Sequence, residues 1–174
     1  ASDVYKRQTF LHLLSGLLKP LEGEIDLIGT PISKLTMSEM DRFRGKNIGI
    51  VFQKPHFINS LTVKENLQLA QYISKKIDKT RINSLLESLG IEDKANKKTL
   101  NLSQGEKQRV AIALAIVNSP KLILADEPTS SLDDLNCNKV INLLKNQAAK
   151  YKAKLIIITH DYRLKKHFKN TLSL

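Results

Sequence analysis

The run Lys121-Leu122-Ile123-Leu124-Ala125-Asp126-Glu127-Pro128-Thr129 constrains the fold more than any other stretch of the chain. It is short, apolar without alternation, and closed by a proline. That pattern suits a strand buried inside a parallel sheet better than a helix. The strand ends in two adjacent acids. Side chains at the carboxyl ends of such strands reach the crevice where α/β proteins bind ligands. One carboxylate there can hold a hard cation such as Mg²⁺. The next can orient or deprotonate a water. Taken alone, the two acids are explained equally well as a solvated pair capping a strand.

Four further pieces change that balance. Leu102-Ser103-Gln104-Gly105-Glu106-Lys107-Gln108-Arg109 lies upstream, and Ser130-Ser131-Leu132-Asp133 follows directly. A second apolar strand, Leu155-Ile156-Ile157-Ile158-Thr159, ends in His160-Asp161, and Ile48-Gly49-Ile50-Val51-Phe52 ends in Gln53. Each has an ordinary explanation by itself. Ser103-x-x-Glu106 is a capping box before an apolar-periodic helix. A histidine or a glutamine at a strand end is more often structural. In this order, however, the five pieces resemble the nucleotide-binding domain of ABC transporters, over nearly the whole chain from Thr9 onward. Residues 102–106 resemble the signature motif, 122–127 the Walker B motif with its following glutamate, and 130–133 the D-loop. His160 resembles the switch histidine and Gln53 the Q-loop glutamine.

The resemblance implies an α/β fold of the P-loop NTPase type, with a mostly parallel sheet and an inserted α-helical subdomain. Residues 9–58 and 119–174 would form the core and 59–118 the helical part. ATP and Mg²⁺ are the implied cofactors, with ATP hydrolysis coupled to transport. Two copies would sandwich two ATP molecules head to tail. Asp126 and Gln53 would hold Mg²⁺, Glu127 would polarise the attacking water, and His160 and Gln53 would complete the catalytic set. Ser103, Gln104, Gly105 and Glu106 would meet the ATP held by the opposite subunit, with Asp133 and Thr9 also in the binding set. The family pattern has glycine at position 104 and glutamine at 106; Ser103 and Gly105 are kept. The first turn of a helix carrying serine and glycine is a good anion site, because free N–H groups and the helix dipole meet there.

Residues 1–8 depart from the family. A pattern G-x-x-G-x-G-K-[ST] is expected before Thr9. Arg7 instead falls at the Walker lysine and Gln8 at the Mg²⁺-ligating hydroxyl, and no glycine occurs before Gly16. Glycines let successive backbone N–H groups point at phosphates without Cβ clashes. These eight residues are therefore expected to be foreign to the domain, a junction rather than a degenerate phosphate loop. The C-terminus is expected to be clipped as well.

The rest of the chain reads as alternating elements. A strand is expected over 24–28, a helix over 36–44 opened by Thr36-x-x-Glu39, and a strand over 47–52. Helices are expected over 63–74, opened by Thr62-x-x-Glu65, and over 80–89 and 104–117. A helix over 133–150 should turn Leu135, Val140, Ile141, Leu143 and Leu144 inward. A strand over 154–159, a short helix over 161–168 and a last strand over 171–174 complete the chain. Phe57, Ile58 and Leu61 are candidates to contact a membrane subunit, or are simply core.

Composition bounds the partners. The 174 residues suffice for one domain with its own core. No run approaches the roughly 18 apolar residues of a membrane span, and no secretory signal pattern opens the chain. The single cysteine, Cys137, fits a reducing compartment and reads as a surface or half-buried thiol. A net charge of +11 invites a nucleic-acid partner. The basic residues are mostly lysine and are spread along the chain, without the aromatic-interleaved stripe that binds single strands. No nucleic acid is therefore expected. The expected partners are transmembrane permease subunits and a second ATP-binding subunit, with the chain peripheral to the inner face of the cell membrane. Residues 35–69, with Arg42, Arg44, Gln53, Glu65 and Asn66, resemble the branch serving lipoprotein release, macrolide-type export and cell division. Two alternatives remain: a regulatory subunit that does not hydrolyse, and a soluble ABC-type ATPase acting on nucleic acid.

Overall fold

A computed structural model describes residues 2–75, 77–130 and 132–172. In chain order the elements are α1 (Ser2–Leu14), β1 (Asp26–Leu27), β2 (Thr30–Pro31), α2 (Met37–Asn47), β3 (Ile48–Val51), α3 (Val63–Ile73), α4 (Lys79–Ser88), α5 (Gln104–Ile116), β4 (Leu122–Asp126), α6 (Asp134–Lys150) and β5 (Lys154–Ile158). A 3₁₀ turn, Tyr162–His167, follows. Strands β3, β4 and β5 form a parallel sheet with β4 in the middle. Residues Leu122, Ile123, Leu124 and Ala125 of β4 are all buried, which is why this strand carries no alternation.

Register places the functional ends side by side. Val51 pairs with Ala125, and Asp126 with Ile158. The residues that follow β3, β4 and β5 therefore emerge at one edge of the sheet, and they include Gln53, Glu127 and His160. The three capping boxes form as the sequence predicts, with Thr36, Thr62 and Ser103 each accepting the backbone N–H of the glutamate three residues on. In each, the glutamate side chain returns to the cap's own N–H, which satisfies two of the orphan donors at a helix start.

Several expectations are corrected. The strand over 24–28 is only β1, folded against β2 in a two-residue hairpin. Ile28 and Gly29 both take positive φ, 60° and 74°, as the tight turn between two strands demands. Leu135 is 66% exposed, not inward. The buried stripe of α6 runs through Cys137, Ile141, Leu144 and Ala148, at helical spacing, and Leu135 lies off it. The same stripe buries Cys137 to 2% exposure, so it is a core thiol rather than a surface one. Residues 171–172 form no strand, while Ser173, Leu174 and the D-loop's Ser131 lie outside the described residues. Residues 2–8, expected to be foreign to the domain, form the first turns of α1, which leaves that expectation untouched.

The helices between β3 and β4 share one core with the sheet: Leu67 of α3, Leu85 and Leu86 of α4, Val110, Ile112 and Ile116 of α5, and Ile123 of β4. Arg81 fastens this part. Its Nε donates to the Val117 carbonyl at 2.6 Å and its Nη2 to that of Ile116 at 2.8 Å. Its guanidinium lies 4.4 Å over the Tyr151 ring. These carbonyls end α5, where the helix dipole favours a cation. Arg81→Met should cost about 2 kcal/mol in urea unfolding, the order of charge-assisted bonds left unmade. Arg81→Lys should recover only part, because an ammonium cannot fork to two carbonyls.

Candidate functional site

Glu127 is the centre of the site. It is the residue after β4, and its backbone is left-handed, with φ at 46°. Its N–H donates to the Ile158 carbonyl at 2.8 Å, which extends the β4–β5 pairing by one step. The turn points its carboxylate at the end of β5. There Oε1 accepts the His160 backbone N–H at 2.9 Å and lies 2.7 Å from His160 Nδ1. Oε2 accepts the Thr159 hydroxyl at 2.9 Å. A non-glycine residue in this backbone region is strained, and such strain persists where surrounding contacts fix it. Here three contacts from one strand end do so. The carboxylate is also 4.0 Å from the Arg7 guanidinium of α1.

Asp126 ends β4 beside it and is half-buried. Its pKa is raised, first by desolvation and then by the neighbouring Glu127 charge, with His12 of α1 opposing. A bound cation relieves both penalties, so Asp126 suits a hard divalent ion. Gln53, after β3, reaches the same edge, where its Nε2 donates to Ser130 Oγ at 3.1 Å. Asp133 caps α6 by accepting the Asn136 N–H at 2.8 Å, and these bonds lower its pKa.

The predicted residues thus fall into separate groups. Asp126, Glu127 and His160 come together, with Gln53 joined to the next segment through Ser130. Ser103, Gln104, Gly105 and Glu106 start α5. The Glu106 pKa is lowered by the Ser103 backbone and hydroxyl bonds and by Lys94, whose ammonium lies 3.3 Å away. Glutamate at position 106 thus completes a capping box. Gln108, one turn further on, links α5 to the strand-end loop by donating to the Pro128 carbonyl at 3.4 Å. Gly105 is informative because the fold does not need it. A Cβ there would meet nothing within 4 Å, and its φ is ordinary. Glycine in a helix costs about 1 kcal/mol relative to alanine, so its use here fits close approach of something outside the chain. Thr9 is not drawn into the site: its hydroxyl donates back to the Tyr5 carbonyl at 2.7 Å on the exposed side of α1.

Sequence reasoning missed the residues that hold the site: Thr129, Thr159, Asp161 and Arg163. Asp161 Oδ2 accepts the fully buried Thr129 hydroxyl at 3.0 Å and Arg163 Nη2 at 2.7 Å. The Arg163 guanidinium beside it is the main reason the Asp161 carboxyl is lowered to about 2. Its folded pKa lies below the ordinary 3.8, so its contribution to stability is present above about pH 4 and is lost as pH falls towards about 2. Adjacency to the strand-end histidine could have singled out Thr159 and Asp161; Thr129 and Arg163 carried no such signal.

As a seat for MgATP the two sides of the site differ. On the cation side, the half-buried Asp126 carboxylate is a suitable donor, while Gln53 is engaged with Ser130. The phosphate side does not fit: residues Ser2–Leu14 form a continuous helix whose interior N–H groups are engaged by its own carbonyls, and no glycine opens a cradle.

A family model for ABC transporters matches residues 8–130. The chain belongs to the ABC transporter family. Its fold is that of an ATP-binding cassette. The cassette MJ0796, in a dimeric post-hydrolysis state bound to ADP and Pi, is 34% identical with a TM-score of 0.78, over 89% of this chain and 70% of that one. A second dimeric structure of MJ0796, described as a bacterial ABC transporter cassette, gives 33% and 0.80, over 92% and 72%. The cassette cbiO1 from Clostridium perfringens, part of the transporter complex cbiONQ, is 31% identical with a TM-score of 0.78, over 89% of this chain and 62% of that one. The span matched to the family includes the residues resembling the Q-loop, signature and Walker B motifs. Residues 1–7 lie outside it.

Proposed function

We propose that residues 9–174 carry the machinery of the ATP-hydrolysing subunit of a transporter, acting as one half of a head-to-tail pair of cassettes where a phosphate loop stands in place of residues 1–8. The observation that carries the proposal is the Glu127 carboxylate, held by Thr159 and His160 beside the half-buried Asp126. Asp126, with Gln53, would hold Mg²⁺, which supplies charge neutralisation when bound. Glu127 would orient and polarise a water, and His160 would fix Glu127. Ser103 and Gly105 would face the nucleotide of the opposite cassette, which agrees with open space at Gly105. MJ0796 dimerises and cbiO1 sits in a transporter complex; both support a second cassette and permease subunits as partners. Among the described residues no helix is long and apolar enough to cross a membrane. Attachment through the permease then places the cassette at the inner face of the membrane. Ile58, 46% exposed beside the Gln53 loop, is a candidate contact, whereas Phe57 packs on the core. The division into a core of 9–58 and 119–174 and a helical part of 59–118 fits the element order, and export or lipoprotein release remains the branch proposed.

A second reading is favoured by α1. A chain whose residues 2–8 are helical could present Ser103–Glu106 and the 130–133 segment to a partner without holding a nucleotide itself. Phosphate release separates the two. A version with a glycine-rich phosphate loop over residues 1–8 should hydrolyse MgATP, and Glu127→Gln in it should lower kcat about 100-fold, as for a lost general base. No hydrolysis by the parent version would leave the second reading standing.

A further inference from the structure

The Arg163 side chain joins its near neighbour Asp161 to Asp134 and Leu132, about thirty residues earlier in the chain. Its Nε donates to Asp161 Oδ1 at 2.8 Å and its Nη2 to Asp161 Oδ2 at 2.7 Å, a forked pair. Its Nη1 donates to Asp134 Oδ1 at 2.6 Å, in the first turn of α6, and its Nη2 also reaches the Leu132 carbonyl at 3.2 Å. Asp161 in turn connects to the catalytic side. Its backbone N–H donates to Thr159 Oγ1 at 2.9 Å, and that hydroxyl donates to Glu127 Oε2. Its carboxylate also receives the buried Thr129 hydroxyl. From Asp134 to Glu127 every link is therefore a hydrogen bond, and the strongest are charge-assisted.

The 129–134 segment is gripped from the other side as well, by Gln53 on Ser130. Ser130, Asp133, Asp134 and Leu135 are exposed around it. Thr159 has only one hydroxyl proton to give. It points at Glu127 because the Asp161 N–H occupies its acceptor side, and Asp161 is placed by Arg163. A guanidinium suits this task because it is planar and presents several donors in fixed directions, whereas an ammonium is a point charge.

We propose that Arg163 is a positioning residue that couples Leu132 and the exposed Asp134, at the start of α6, to the Glu127–His160 pair through Asp161 and Thr159. A displacement of Leu132 or Asp134 by a docking cassette then reaches Glu127 without passing through the sheet. The purpose of this coupling in hydrolysis rests on the ATPase reading; the coupling itself belongs to the isolated chain.

The test is therefore made on the isolated chain without nucleotide. The His160 amide, which donates to Glu127 Oε1, is followed by NMR for its chemical shift and its hydrogen–deuterium exchange. Arg163→Gln should speed its exchange about tenfold, the effect of losing charge-assisted bonds, and move its resonance. The amides of Ile112 and Ala113 in α5 should keep their wild-type rates. Arg163→Lys should fall between the two. Asp134→Asn, which leaves Asp161 and the Leu132 carbonyl bonded, should give a smaller shift in the same direction, and it serves if Arg163→Gln does not fold. The proposal is overturned if the changes stay within residues 132–136 and 161–165 while His160 is unmoved, or if His160 and α5 accelerate equally, which is global loss of stability. ATP hydrolysis does not enter this outcome, so failure of the ATPase reading and failure of the coupling are told apart.

Discussion

Gly49→Ala is expected to cost about 3 kcal/mol of stability, the upper end of ordinary overpacking, and Gly49→Val about 4 kcal/mol or more. The cause is backbone against backbone. A Cβ built on Gly49 would lie 1.9 Å from the Ala115 carbonyl oxygen and 2.8 Å from its carbon, with Pro120 Cγ at 3.1 Å. No rotamer change relieves a contact with a carbonyl. Strand β3 cannot retreat without losing its pairing with β4, where Gly49 lies opposite Ile123. Helix α5 cannot retreat either without breaking the core through Ile112 and Ile116 and the Arg81 bonds at its end. The φ of Gly49 is ordinary, so the penalty is purely steric. Small domains have about 5–15 kcal/mol in total, so the valine variant should be largely unfolded at modest denaturant. Urea unfolding followed by circular dichroism reads the effect directly. With a slope of about 2 kcal/mol per molar, the alanine midpoint should fall by about 1.5 M. Gly105→Ala is the control. Nothing lies within 4 Å of its Cβ position, so its stability should equal or exceed wild type by up to about 1 kcal/mol. A Gly49→Ala midpoint equal to wild type would mean that α5 does not press on β3.

Gly49 carries a signal that was open to reading, since a glycine inside an apolar strand marks a bulge or close approach by another backbone. What it could not say was which backbone. The same limit runs through the fold. The β4 run and its two acids were legible because burial on both faces leaves a chemical signature. The starts of α2, α3 and α5 were legible because a capping box is local. Leu135 was misplaced because counting apolar residues along α6 does not fix the phase of the buried stripe; Cys137, Ile141, Leu144 and Ala148 do. The turn at Ile28 and the left-handed backbone of Glu127 were not legible, since neither residue type favours positive φ. Each is imposed by partners: a two-residue hairpin in one case, the Ile158 carbonyl and the end of β5 in the other. The carboxylates and histidine of the site could be named in advance. The hydrogen bonds that hold them run through Thr159, Asp161 and Arg163, whose meaning depends on which segment lies beside them.

Titration calorimetry of this chain with MgATP is expected to show no binding tighter than about 1 mM, some 4 kcal/mol weaker than a micromolar site. A phosphate chain is held mainly by backbone N–H groups that converge on it and by a lysine free to meet it. In residues Ser2–Leu14 the interior N–H groups run along the helix to its own carbonyls. Arg7, at the lysine position, faces Glu127 at 4.0 Å, and Gln8 brings no hydroxyl. Asp126 alone attracts the cation but not the anion; its pKa is raised, first by desolvation and then by the Glu127 charge. The variant Ala1→Gly, Val4→Gly, Lys6→Gly, Arg7→Lys, Gln8→Ser restores the glycine pattern, the lysine and the hydroxyl. It should recover measurable binding, and Asp126→Asn in that background should weaken it further when Mg²⁺ is present. Micromolar binding by the unaltered chain would sink this account, since α1 would then have to unwind over its first turns and offer its N–H groups to phosphate. In that event Arg7→Ala should weaken binding, because the guanidinium would have left Glu127 for the nucleotide.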